Sequence, residues 1–204
     1  MMMMTIQFIL LPVFAYMLGS VPWGVILTRM FTAQDIRAKG SGNIGATNVT
    51  RVAGPLAGVL TLAADMLKGA VPVYLAFSIA DSNSAQGEFY IAAVAFSAFL
   101  GHLYPLFTKF KNGGKGVATA AGCFLVISLP AFSIAILVFI IFICLCNRAS
   151  AGSLAAAAVL PLAVWKTTGS EIMTGCAVLT AVFIYIRHKD NIRRILSGAE
   201  PVIW

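Results

Sequence analysis

Apolar residues run along this chain in long stretches, and polar ones collect in short segments between them. Each apolar stretch is of the order needed to cross about 30 Å of hydrocarbon, so the pattern predicts helices that span a bilayer. Marked out, they fall at 5–27, 53–79, 89–107, 116–130, 131–146, 153–165 and 172–186. That is about seven spans, of which the fourth and sixth fall short of the usual ~20 residues; two compensating boundary errors would leave five. The first stretch has no basic segment ahead of it and no small-x-small cleavage site, so it is expected to be a retained span rather than a signal peptide.

Composition agrees with that pattern. Sixty per cent hydrophobic and 10% charged residues in a chain of 204 leave no stretch suited to a soluble domain, so one polytopic membrane domain, residues 1–204, is expected. The basic residues then orient it. Arg29, Arg37, Lys39, Arg51, Lys109, Lys111, Lys115, Arg148, Arg187, Lys189, Arg193 and Arg194 fall on one face. The other receives Lys166 with Asp81, Glu88 and Glu171, and Lys68 lies within a span. By the positive-inside rule the crowded face is cytoplasmic. The expected fold class is therefore an all-α integral membrane protein, amino terminus outside, carboxy terminus in the cytoplasm. The same bias accounts for the +7 net charge without nucleic acid.

The first cytoplasmic segment, "KGSGNIGATNVTR", satisfies G-x-G-x-x-G at Gly40, Gly42 and Gly45, with Asp65 following where a dinucleotide fold would place an acidic residue. A dinucleotide site needs a buried strand before the glycines, and the polar "TAQDIRAKG" stands there instead. Asp65 lies inside an apolar stretch three residues before Lys68, which predicts an intramembrane ion pair in preference to a substrate role. The glycines are interleaved with Ser41, Asn43, Thr47, Asn48, Thr50 and Arg51. Glycines that free the backbone N–H groups, with hydroxyls, amides and a cation around them, suit an anion cradle. A second segment, "KFKNGGKGVAT", sets Gly113, Gly114 and Gly116 around Lys115 where a helix begins, adding a helix amino terminus. The alternative is two flexible basic turns facing anionic lipid.

A third segment, "RHKDNIRRILSGAEP", carries His188, Asn191, Arg193 and Arg194. On a helical continuation His188 and Asn191 share a face with Arg194 near it, and Glu200 is placed to anchor the polar end. In the segment "NRASAGS", Ser150 and Ser153 compete as hydroxyl donors. Cys123, Cys144, Cys146 and Cys176 lie in apolar stretches without metal-site spacing and are expected to pack. His102 is expected to have a local hydrogen-bonding or packing role, and Gly54 and Gly58 read as close helix packing.

"SGNIGATN" followed by Arg51, "GHLYP" leading to "GGKGVAT", and H-x-x-N-I-x-R followed by Gly-x-Glu resemble, in order and over nearly the whole chain, the three motifs of the bacterial acyl-phosphate:glycerol-3-phosphate acyltransferases, the PlsY family. The resemblance implies a bacterial inner-membrane enzyme that moves a fatty acyl group from acyl phosphate to the 1-hydroxyl of glycerol 3-phosphate. The products are lysophosphatidic acid and inorganic phosphate. It further implies that Ser41, Arg51, His188 and Asn191 serve activity, that Gly113, Gly114, Gly116 and Lys115 hold glycerol phosphate, and that Glu200 is structural. Two departures stand out: Asn112 interrupts the run from Lys111 into glycine, and "NRASAGS" is one residue short of the family's form.

The residue types suit this chemistry on their own. An acyl phosphate carries a good leaving group, so transfer requires phosphates positioned, charge stabilised and one hydroxyl aligned, with neither metal nor cofactor. Asn43, Thr47, Asn48, Lys115, Ser150 and Arg194 are the further phosphate-binding candidates. Direct attack is expected, and a covalent acyl-Ser41 intermediate is the alternative. From a different class, a transporter of organic phosphate would place its charges near the bilayer midplane on related halves, whereas here they crowd one face.

Overall fold

In the computed structural model, residues 2–203 are described, with side chains from Ile9 onward. Ten α-helices account for most of the described residues, and no strand occurs among them. The chain falls into two compact units, 1–126 and 127–204.

In the first unit, α1 (Met2–Gly19) and α2 (Trp23–Thr32) divide the expected first span at Ser20-Val21-Pro22. Proline has no N–H to donate and disfavours helical geometry at the residue before it, which favours a break at Val21-Pro22, although Pro12, Pro72 and Pro161 lie within helices. A left-handed Ala33 closes α2. The segment that follows is not irregular throughout: α3 (Ala46–Ala53) occupies its second half. Gly54, at φ 89°, turns the chain into α4 (Pro55–Ile79), which takes proline at its first turn. α5 (Ala85–Leu103) starts at Ser84, whose hydroxyl accepts from Gly87 N–H at 3.1 Å. α6 (Val117–Ile127) completes the unit.

Small residues let these helices meet backbone to backbone. A Cβ on Gly19 would lie 2.1 Å from the Ala98 carbonyl oxygen, and one on Gly101 2.2 Å from that of Tyr16, which seats α1 on α5. Gly69 and Gly122 do the same for α4 and α6. Gly58 packs against Thr50 of α3, as expected, but Gly54 has no neighbour that a side chain would meet and acts through its turn instead.

The second unit holds α7 (Leu129–Cys146), α8 (Ala149–Thr168), α9 (Glu171–Arg187) and α10 (Lys189–Leu196). Ser128 caps α7 and Ser170 caps α9. α9 and α10 meet at a 60° bend centred on His188, so the helical continuation expected through the third motif is broken there.

Among the described residues, five helical stretches are long and apolar enough to cross a membrane, namely Ile9–Thr32, Pro55–Ile79, Ala85–Thr108, Leu129–Cys146 and Ala149–Thr168, and the bent pair α9–α10, taken as one span, makes a sixth. The sixth expected span is a full helix of 20 residues. Polar Ser150 near its start and Lys166 near its end make its apolar run shorter than the helix. The fourth is truly short: α6 has 11 residues, a rise of about 16 Å.

Candidate functional site

Helix direction places the two glycine segments at one end of the first unit, since one follows α2 and the other follows α5. Asn48, on α3, organises the first. Its amide oxygen accepts from Ser41 N–H at 3.0 Å, and its amide nitrogen donates to the carbonyls of Lys39 at 3.1 Å and Asn43 at 2.9 Å. Gly40 and Gly42 take positive φ, 57° and 69°, and a Cβ on Gly40 would lie 2.2 Å from the Asn48 amide oxygen. The Asn43 side-chain oxygen accepts from Gly45 N–H at 2.9 Å. Beneath them lies an apolar cluster of Val25, Ile36, Ile44, Val49 and Ala57. The result is a fixed loop whose exposed side chains include Ser41, Thr47 and Arg51. Asn48 was expected to bind phosphate; it is buried and holds the loop together.

A group overlooked in the sequence stands beside this loop. Asp35 accepts from Arg37 Nη2 at 2.6 Å and lies 3.7 Å from Arg29. The Arg37 guanidinium holds the Asp35 carboxyl down at about 2. Two of the basic residues counted for the face are therefore partly neutralised locally, and the D-x-R spacing was the available signal.

The second segment lies against the end of α5. Gly114 N–H donates to the His102 carbonyl at 3.1 Å, and a Cβ on Gly114 would come within 1.9 Å of His102 Nε2. A Cβ on Gly113 would lie 2.0 Å from the Leu103 carbonyl oxygen. Gly113 and Gly114, expected as anion donors through free backbone geometry, are therefore required by close approach, and the Gly114 N–H is already engaged. Only Gly116, at φ 84°, takes the left-handed conformation. Lys109, Phe110 and Asn112 are also left-handed, at 54°, 62° and 56°. Asparagine tolerates that region better than most side chains, which accounts for Asn112 where lysine running into glycine was expected. Lys115 is half-buried at the start of α6.

Beneath both segments, within the span, Lys68 Nζ lies 2.8 Å from Asp65 Oδ1, with each side chain 2% exposed. This is the ion pair that the spacing predicted. Two further partners join it: Lys68 donates to the Val21 carbonyl at 2.9 Å, and His102 Nδ1 lies 3.6 Å from Asp65.

In the second unit the polar residues gather on one carboxylate. Glu200 Oε1 accepts from Ser150 Oγ and from Asn191 Nδ2, each at 2.6 Å, and Oε2 accepts from Arg194 Nε at 2.7 Å. Burial alone would raise the Glu200 carboxyl, but the three hydrogen bonds and the Arg194 charge outweigh it and hold the group below its ordinary value. Arg148 donates to the Glu200 backbone carbonyl at 3.1 Å, and Ile203 N–H donates to Asn147, so the tail is tied to the α7–α8 corner. Arg148 had been counted only as a basic residue. Of the two competing serines, Ser150 joins this cluster, while Ser153 donates to Ala149 of its own helix. Ser150 and Arg194, expected to bind phosphate, are placed on Glu200. His188 Nδ1 lies 2.8 Å from the Ile184 carbonyl. A carbonyl only accepts, so Nδ1 carries a proton.

The family described as glycerol-3-phosphate acyltransferase matches residues 9–198. Glycerol-3-phosphate acyltransferase of Syntrophotalea carbinolica is 49% identical over 91% of this chain and 92% of its own length. That of Geobacter sulfurreducens is 43% identical over 94% and 95%. The crystal structure of PlsY (YgiH), an integral membrane glycerol 3-phosphate acyltransferase in its glycerol 3-phosphate form, matches with a TM-score of 0.89 at 33% identity, covering 96% of this chain and 95% of that one. A lysophosphatidic acid form matches at a TM-score of 0.85 and 32% identity over the same shares.

Proposed function

Because this chain belongs to the glycerol-3-phosphate acyltransferase family, we propose that it acylates the 1-hydroxyl of glycerol 3-phosphate from acyl phosphate, yielding lysophosphatidic acid and inorganic phosphate as the first acylation of phospholipid synthesis. The observation that carries this reading is the pair of glycine segments in the first unit. Their backbones are fixed from below, while Ser41 and Arg51 are exposed at their rim. Such an arrangement suits charged substrates that need position more than they need activation.

The hydroxyl oxygen of glycerol 3-phosphate attacks the acyl carbonyl carbon, the bond from that carbon to the phosphate oxygen breaks, and the electron pair leaves with phosphate. The hydroxyl proton passes to a phosphate oxygen. Arg51 and Lys115 balance phosphate charge, with Asn43, Thr47 and the Gly113–Gly116 segment around them, and Ser41 positions a substrate oxygen. By the motif resemblance, Asn191, its amide fixed by Glu200, and His188 also serve activity. Glu200 is structural. On the family match over residues 9–198, we read 1–204 as one membrane domain. It would have seven spans, the amino terminus outside and the carboxy terminus cytoplasmic, in the bacterial inner membrane. The steep distribution of basic residues supports that orientation.

The test is phosphate release by the purified protein from palmitoyl phosphate, with and without glycerol 3-phosphate. Release that depends on the acceptor, with lysophosphatidic acid formed alongside, is expected. No release by folded protein would return the transporter of organic phosphate to first place. Mass spectrometry after exposure to acyl phosphate alone should find Ser41 unmodified; an acyl-Ser41 adduct would replace direct attack with a covalent route.

A further inference from the structure

The Asp65–Lys68 pair lies inside the bilayer span, yet its contacts lead to both glycine segments. Lys68 Nζ donates to the Val21 carbonyl at the break between α1 and α2. Helix α2 leaves that break and, within its first turn, presents Gly24, where a Cβ would come within 1.8 Å of the Ile44 carbonyl oxygen in the first segment. On the other side Asp65 lies 3.6 Å from His102 Nδ1. The opposite edge of that ring abuts Gly114, and the His102 carbonyl accepts from Gly114 N–H. One charge pair therefore abuts two routes, Lys68 to Val21 to α2 to Ile44, and Asp65 to His102 to Gly114. Both are short, and each includes a glycine, Gly24 or Gly114, where a side chain would find no room.

We propose that Asp65 and Lys68, with His102, are positioning residues that hold the two glycine segments in register with each other, so that the phosphate-binding groups on each meet the substrates together. This rests on the acyltransfer reading of those segments. An ion pair that served helix packing alone would not need its cation on the carbonyl at a helix break or its carboxylate facing the histidine beneath Gly114. Packing in this unit is already supplied by the glycine contacts between α1 and α5 and between α4 and α6.

The decisive variant is Asp65→Leu combined with Lys68→Met, which removes both charges together and leaves neither one buried alone. It should fold and stay monodisperse in detergent. Its KM for glycerol 3-phosphate should rise about tenfold and kcat should fall, as misplacement far from the chemistry does. Backbone hydrogen exchange should quicken in peptides covering 39–48 and 112–116 while the centres of α4 and α5 remain protected. His102→Gln, with the charge pair intact, should loosen 112–116 and leave 39–48 unchanged. Unaltered KM and loop exchange in the double variant would overturn the proposal. If the double variant does not fold, unaltered exchange at 112–116 in His102→Gln overturns it. Failure of both to fold would overturn it too, because the cluster would then be a scaffold for the helices themselves. Loosened loops in the variants, alongside an unaltered protein that transfers no acyl group, would retain the alignment and remove only the acyltransfer reading.

Discussion

The glycine segments of the first unit and the Glu200 cluster of the second are both assemblies of polar groups, but they are organised in opposite ways. In the first, the buried Asn48 side chain and the His102 carbonyl bind backbone, and the side chains at the rim include exposed Ser41, Thr47 and Arg51. In the second, a single carboxylate takes Ser150, Asn191 and Arg194 at once, and Asn191 and His188 are buried. The difference decides what a substitution reaches first. Where backbone is held from below, the displayed residues can be changed without loosening the fold; where side chains hold one another, any change reaches the fold first.

The sharpest break of this comparison is Arg51→Ala. Turnover should fall by on the order of 10²–10³, the scale for one group that balances developing charge, with the melting temperature in detergent unchanged. Near-normal activity would remove Arg51 as a phosphate anchor. Next is Glu200→Gln, which replaces one acceptor oxygen by a donor nitrogen opposite Ser150, Asn191 or Arg194. It should cost about 2 kcal/mol of stability, read as a lower melting temperature with activity falling in proportion to folded protein. A loss of turnover at full stability would mean that the carboxylate acts on the reaction, directly or through the Asn191 amide it fixes. The smallest effect is acid sensitivity. The folded-state value of Glu200 lies below its ordinary 4.5, so its contribution is complete above that value and is lost as pH falls below it through the folded value. The tail should therefore loosen on acidification below 4.5, seen as faster hydrogen exchange in 197–203, before the centres of α8 and α9 respond. Simultaneous loosening of all three would remove Glu200 as the local tie.

Much of the helical plan was legible because apolar run length reports directly on helix length in a bilayer. Run length fails where polar residues sit inside a helix, as Ser150 and Lys166 do in α8, and it could not foresee that Ser20-Val21-Pro22 would divide the first span. The ion pair was legible because Asp65 and Lys68 are three apart on one helix. The residues of the candidate site were legible as a set, but their division of labour was not. Nothing local marks Asn48 as the clamp and Ser41 as exposed, because that depends on which side chain faces the apolar cluster of Val25, Ile36, Ile44, Val49 and Ala57. The glycines carried a related ambiguity. Gly40 and Gly116 are needed for their φ, Gly113 and Gly114 for closeness to α5, and a sequence shows the letter without the reason.

The three-residue spacing of Asp65 and Lys68 also bears on how the protein enters the membrane. Each charge alone would oppose insertion by about 2.5–3.5 kcal/mol at the centre of a span. Because both belong to α4, they can neutralise each other within that one segment as soon as it turns helical. Helix α4 can therefore partition into lipid as a self-compensated unit, and Lys68 reaches the Val21 carbonyl, and Asp65 approaches His102, only when α1 and α5 assemble around it.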